Sequence, residues 1–181
     1  MLAASVLMFC RMTIAFLFLF SSGGKFLTLQ DFVVTIGDFK LFPRRWSRTV
    51  AWLFLCGEIT TAALMMLGGN GLSLGFLLAT TLLMAFSLAL GMALRRNISM
   101  SCNCFGRTER PISGYDVVRN GVLILCNVLG LWLLNSAPQN LALGEIMLLA
   151  LMSVVFLLFV MNLGEIVEAL RHPFPVFDER R

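Results

Sequence analysis

The sequence predicts an all-α integral membrane protein, a bundle of four to five transmembrane helices with a short helix capping one end. Three observations carry this. The 181-residue chain is 59% hydrophobic and only 13% charged, where a soluble domain is about 45–50% apolar and about a quarter charged. Its mean hydropathy of +0.88 is more than one soluble core of this length can hide. Its apolar residues also gather into windows of the ~18–25 residues that a bilayer crossing requires. Lipid is the natural solvent. The net charge of +4 then belongs to loops beside lipid headgroups rather than to a nucleic-acid footprint.

Five windows fit: Leu2–Phe20, Thr49–Leu67, Leu72–Leu94, Val117–Leu134 and Leu141–Leu163. At about 1.5 Å per residue each can cross a ~30 Å hydrocarbon core. The first does not read as a cleaved leader. It lacks a basic start, carries Arg11 at its centre, and runs into Ser21-Ser22-Gly23-Gly24-Lys25 rather than a small-x-small cleavage site. It is expected to stay attached.

The connections are unequal. Gly68-Gly69-Asn70-Gly71 makes a tight turn between the second and third spans, and residues 135–140 join the fourth and fifth. The tight turn makes the second and third spans antiparallel neighbours. Residues 21–48 form a longer link, with Phe26, Leu29, Phe32, Val33, Ile36 and Phe39 at helical spacing until Pro43. This predicts a short helix over the bundle mouth or resting in headgroups. The chain therefore divides into a membrane domain over 1–170 and a polar tail over 171–181. The fifth helix should continue two turns toward His172-Pro173.

Lysine and arginine concentrate in the links 21–48 and 95–116 and in the tail, whereas the two short links hold none. Five spans put all three basic segments on one face, which the positive-inside rule makes cytoplasmic.

The second long link contains Cys102-Asn103-Cys104-Phe105-Gly106. A zinc knuckle needs four ligands and an iron–sulfur cluster four thiolates. The remaining cysteines, Cys10, Cys56 and Cys126, fall in separate spans, where each reads as a small apolar residue. No metal site is expected. Cys102 and Cys104 can instead close on each other in a small, strained ring, and strain makes a disulfide readily reducible. Gly106 lets the chain turn nearby. Arg107, Arg110 and the start of the fourth helix favour a thiolate. Two idle loop cysteines are the plain alternative.

Two charges lie in the wrong solvent. Arg11 is near the middle of the first span and Glu58 near the middle of the second. Such groups cost ~2.5–3.5 kcal/mol at a helix centre and normally face a partner. Opposite signs at similar depth predict that they pair, as a structural bridge or as a polar site for an acceptor such as a quinone headgroup. Arg119 and Cys126, like Asn120 and Asn127, are seven residues apart and predict one polar stripe on the fourth span.

These residues resemble a known family. Arg11, Ser22-Gly23 with Lys25-Phe26, Asp31-Phe32, Leu41-Phe42-Pro43, Glu58, the Cys102–Gly106 motif and Arg119-Asn120 occur in the order typical of the methylamine utilisation MauE family. That family is similar to the wider DoxX-like group, and the resemblance spans residues 5–165. It implies a multi-pass protein of the bacterial inner membrane needed for biogenesis of methylamine dehydrogenase. The implied partners are the thioredoxin-like MauD protein and the enzyme's periplasmic, disulfide-dense small subunit. Cys102 and Cys104 would be the redox pair of a thiol–disulfide oxidoreductase. Arg11, Lys25, Glu58, Gly106, Arg119 and Asn120 would support them.

The helix order also resembles vitamin K epoxide reductase, which passes electrons from thiols to a quinone. This chain departs from it in having C-x-C rather than C-x-x-C and no cysteine pair in 21–48. A quinone is thus one candidate acceptor and no cofactor is assigned. A periplasmic client also needs outward-facing cysteines, against the arginine count. Either those arginines belong to a folded cap, or thiols are handled across the membrane. The competing reading is a membrane scaffold or small-molecule transporter with incidental cysteines. The lack of a broken-helix pair argues against a conventional transporter.

Overall fold

Six helices account for nearly every residue of the computed structural model, which describes residues 2–38, 44–95, 114–134, 141–164 and 166–167. They are α1 (Leu2–Leu27), α2 (Leu29–Asp38), α3 (Ser47–Leu67), α4 (Leu72–Arg95), α5 (Gly114–Leu133) and α6 (Leu143–Met161). All but α2 are long and apolar enough to cross a membrane. The chain is a multi-pass membrane protein, with all five expected spans present. Cys102, Cys104, Gly106 and the tail 171–181 lie outside the described residues.

The main departure from the expected boundaries is at α1. The reading Leu2–Phe20 stopped at a run of serines and glycines, but the helix continues through it to Leu27. The hydroxyls do not need water there. Ser22 Oγ donates to the Leu19 carbonyl at 3.1 Å, and Ser21 turns into the bundle. Thr28 alone separates α1 from α2, and the Phe32 N–H bonds back to its carbonyl at 3.1 Å. Lys25 therefore belongs to a membrane helix and not to a loop.

The expected short helix is α2. Its apolar face, Phe32 and Ile36, packs on Ala51 with Val33, Val50 and Phe54 alongside, so α2 rests on the first half of α3. Its own helical period sets which residues are covered.

Four helices form a closed ring in which α1 packs on α3 and α5, and α4 completes the ring by packing on α3 and α5. Ile14, Leu17 and Phe18 of α1 meet Met65, Phe76, Ala79, Leu83 and Leu123 in its core. The fifth span, α6, lies outside this ring against α1. There Phe9 and Phe156 meet edge-to-face with centroids 5.5 Å apart, and Ser153 Oγ donates to the Phe9 carbonyl at 3.2 Å. Facing outward are Leu53, Leu77, Leu88, Leu125, Trp132 and Leu151. A surface this apolar suits hydrocarbon rather than water.

Two glycines set close approaches. Gly68 ends α3 with φ +71°, while its N–H reaches the Leu64 carbonyl at 3.0 Å. A side chain there would be strained and would meet Arg11 Nη2 at 2.5 Å. Gly130 of α5 lies so near α4 and α1 that a Cβ would meet Phe76 Cε1 at 2.6 Å and Cys10 Cβ at 3.1 Å.

Candidate functional site

Polar side chains converge where α1, α3, α4 and α5 meet, toward the end of the bundle at which α4 finishes and α5 starts. Lys25 points inward from the last turn of α1 and is 2% exposed. It forms an ion pair and hydrogen bond with the Glu58 carboxylate of α3. Ser21, one turn before Lys25, places its hydroxyl 3.2 Å from both carboxylate oxygens. The ammonium also lies over aromatic faces, 4.9 Å from the Phe32 centroid and 5.9 Å from that of Phe86. Two charges withdrawn from solvent are tolerable only when paired and bonded in this way.

Asn120 of α5 forms the opposite wall. It is 1% exposed, and its Nδ2 has no hydrogen-bond partner among the described residues. It lines a cavity of about 30 Å³ together with Lys25, Glu58, Ser21 and the apolar side chains of Phe18, Phe54 and Phe86. That is room for about one water, the natural partner for an unengaged buried amide. A cavity that takes up benzene measures about 150 Å³, so a quinone ring fits this site only if the helices part.

The expected pairing of Arg11 with Glu58 does not form. Arg11 Nε donates to the Met65 carbonyl at 2.7 Å and Nη2 to the Met66 carbonyl at 3.0 Å. Arg11 thus caps the last turn of α3, where carbonyls lack helical partners and the helix dipole favours a cation. Helices α1 and α3 run antiparallel, so positions near the middle of each window need not meet. Met65 is seven residues beyond Glu58, ~10 Å along the axis. The partner of Glu58 is Lys25, which the sequence reading had counted among loop charges.

The stripe on α5 is present. Arg119, Asn120 and Asn127 are all buried. Arg119 Nη1 lies 3.4 Å from Asp116 Oδ1. Asn127 Nδ2 donates to the Phe76 carbonyl at 2.9 Å and to Thr80 Oγ1 at 2.6 Å, tying α5 to α4. Asn127 is structural in this respect, whereas Asn120 faces the cavity. Ser21 was missed by sequence reasoning, although its i, i+4 spacing from Lys25 places both on one helix face. Among the described residues no three His, Cys, Asp or Glu side chains group as metal ligands.

The structure thus brings together Lys25, Glu58 and Asn120, keeps Arg119 on the same helix one residue away, and sends Arg11 to the other end. The link carrying Cys102, Cys104 and Gly106 leaves from Arg95 and returns at Gly114, the ends of α4 and α5 nearest the cavity.

The model of a known family, described as methylamine utilisation protein MauE, matches residues 3–133. The chain belongs to the MauE family. The matched region runs from the start of α1 to the end of α5, enclosing the ring and every candidate residue, and it stops short of α6. Membership assigns the chain to methylamine utilisation. No curated protein and no solved structure matches it.

Proposed function

We propose that this chain is a bacterial inner-membrane factor for maturation of methylamine dehydrogenase. In this reading it handles thiol–disulfide exchange for the enzyme's small subunit through Cys102 and Cys104, with the thioredoxin-like MauD protein as its partner. The observation that carries the reading is the Lys25–Glu58–Asn120 cavity in a family member whose C-x-C motif lies between the two helix ends nearest that cavity. Exchange moves protons as well as electrons, since only the thiolate attacks. A buried acid–base couple beside a water-sized space is a suitable proton store for such chemistry.

A scaffold that holds MauD near its client without exchanging electrons is the second reading. It is favoured by the way Lys25 and Glu58 satisfy one another inside the bundle. A transporter draws no comparable support, because the cavity is only about 30 Å³ and is lined largely by apolar side chains.

The test is thiol trapping with a maleimide in intact membranes, using permeant and impermeant reagents in parallel. A redox factor cycles Cys102 and Cys104 between protected and labelled forms as the partner is supplied or withheld, and the impermeant reagent reports their face. Thiols that stay labelled under every condition would leave the scaffold.

A further inference from the structure

Two other cysteines, read from the sequence as separate apolar residues, come together in the fold. Cys10 of α1 and Cys126 of α5 lie together where α1 packs on α5, and both are free thiols. The approach is enforced by packing. Gly130, one turn beyond Cys126, is so close to α1 that an added Cβ would lie 3.1 Å from Cys10 Cβ. Asn127, next to Cys126, anchors α5 to α4 through Phe76 and Thr80. The two thiols therefore cannot drift apart by a slide of one helix.

Their exposure is unequal. Cys10 is 1% exposed, whereas Cys126 is half-buried between the outward-facing Leu125 and Val122 of the same helix. Any reagent that reaches the pair must arrive through hydrocarbon and meets Cys126 first. Both residues lie well inside their spans, eight residues from the start of α1 and twelve from the start of α5.

We propose that Cys10 and Cys126 are a second dithiol site, closed to an interhelical disulfide by a lipid-soluble quinone. Water-soluble oxidants and proteins with a thioredoxin-type site cannot enter the hydrocarbon, while a quinone headgroup can. The step balances. One of the two sulfurs adds to the quinone ring and loses its proton. The other sulfur then attacks it, forming the S–S bond as the sulfur–ring bond breaks. The ring leaves with the electron pair and takes both thiol protons as hydroquinone. Two thiols are oxidised to one disulfide and one quinone is reduced to one quinol. The bridge would fix α1, which carries Ser21 and Lys25, against α5, which carries Asn120. The proposal is independent of the role given to Cys102 and Cys104.

The experiment uses the full chain with Cys56→Ser, Cys102→Ser and Cys104→Ser, reduced and reconstituted in oxygen-free vesicles. Decylubiquinone is added, the protein is denatured, and remaining thiols are counted with a polyethylene-glycol maleimide. The expected result is two tags before quinone and none after, with one quinol formed per bridged chain. A second chain keeping Cys10 and Cys56 instead should retain both tags, because Cys56 is exposed on α3. Two tags surviving quinone in the Cys10/Cys126 chain would overturn the proposal. Should that chain fail to accumulate, non-reducing peptide mass mapping of the quinone-treated wild-type chain decides. A linked Cys10–Cys126 peptide supports the site, and its absence overturns it.

Discussion

Lys25 on α1 and Glu58 on α3 are ion-paired inside the helix bundle, with Ser21 completing the carboxylate's contacts. The pair occupies a depth where either charge alone would be costly, and it reaches Asn120 only across a space the size of a water. The acid is on one helix and the base on another, so the contact also fixes how α1 and α3 are turned relative to each other.

A mutant cycle tests this contact. Lys25→Met or Glu58→Leu alone leaves an unpaired buried charge, which costs about 3–5 kcal/mol. The double variant removes both charges and should recover much of the loss. Membrane accumulation and the detergent melting temperature of the four proteins measure the coupling. Additive losses would dissolve the pair.

Arg11 and Glu58 should, by contrast, act independently. Arg11 bonds the carbonyls of Met65 and Met66 at the end of α3, far from the Glu58 carboxylate. Changes at well-separated sites add within about 0.3–0.5 kcal/mol. Combining Arg11→Met with Glu58→Leu should therefore give the sum of the two losses in melting experiments. A strong positive coupling would show contact between them.

Gly68 should couple to Arg11 instead. An alanine there must take φ +71° and meet Arg11 Nη2 at 2.5 Å. The backbone strain alone is about 1–2 kcal/mol, and displacement of the guanidinium adds to it. Gly68→Ala should be less harmful in an Arg11→Met background than in the wild type, read as the difference in melting temperature.

These contacts show which parts of the molecule were legible in the sequence. The five spans were, because a bilayer demands long apolar windows and the chain supplies them. The short helix α2 was legible from the spacing of Phe32, Val33 and Ile36, and the α5 stripe from the sevenfold spacing of Asn120 and Asn127. The end of α1 was not. A hydropathy window cannot distinguish serines that face water from serines that face a carboxylate, so Ser21 and Lys25 were placed in a loop. That one misplacement removed the true partner of Glu58 and left Arg11 as the apparent one. The Cys10–Cys126 contact had no local signal, since it depends on which helices pack and how they are rotated.

For the motif between α4 and α5, Cys102→Ser and Cys104→Ser should each abolish function as completely as the double change. One thiol cannot form the bond, so the two residues act as a unit. Methylamine-dependent growth of complemented deletion strains gives the comparison. A Cys104→Ser strain growing at most of the wild-type rate would rule out the disulfide mechanism.

The client of the proposed maturation role provides the remaining prediction. In cells lacking this protein, the large subunit of methylamine dehydrogenase should still accumulate while the small subunit disappears. A small, disulfide-dense chain without its bridges loses typically 2–5 kcal/mol per bridge and often cannot fold. The unfolded fraction is then removed by proteases. If the missing step is oxidation, a strong thiol oxidant in the medium should partly restore the small subunit. Restoration should be incomplete, because an unguided oxidant also forms incorrect pairings. A scaffold or transporter supplies no oxidising equivalents, so its loss predicts no rescue. The measurement is small-subunit abundance by immunoblot in the deletion strain, with and without oxidant. Normal abundance in the untreated deletion strain would end the maturation reading, and a depleted subunit that oxidant fails to restore would favour the scaffold.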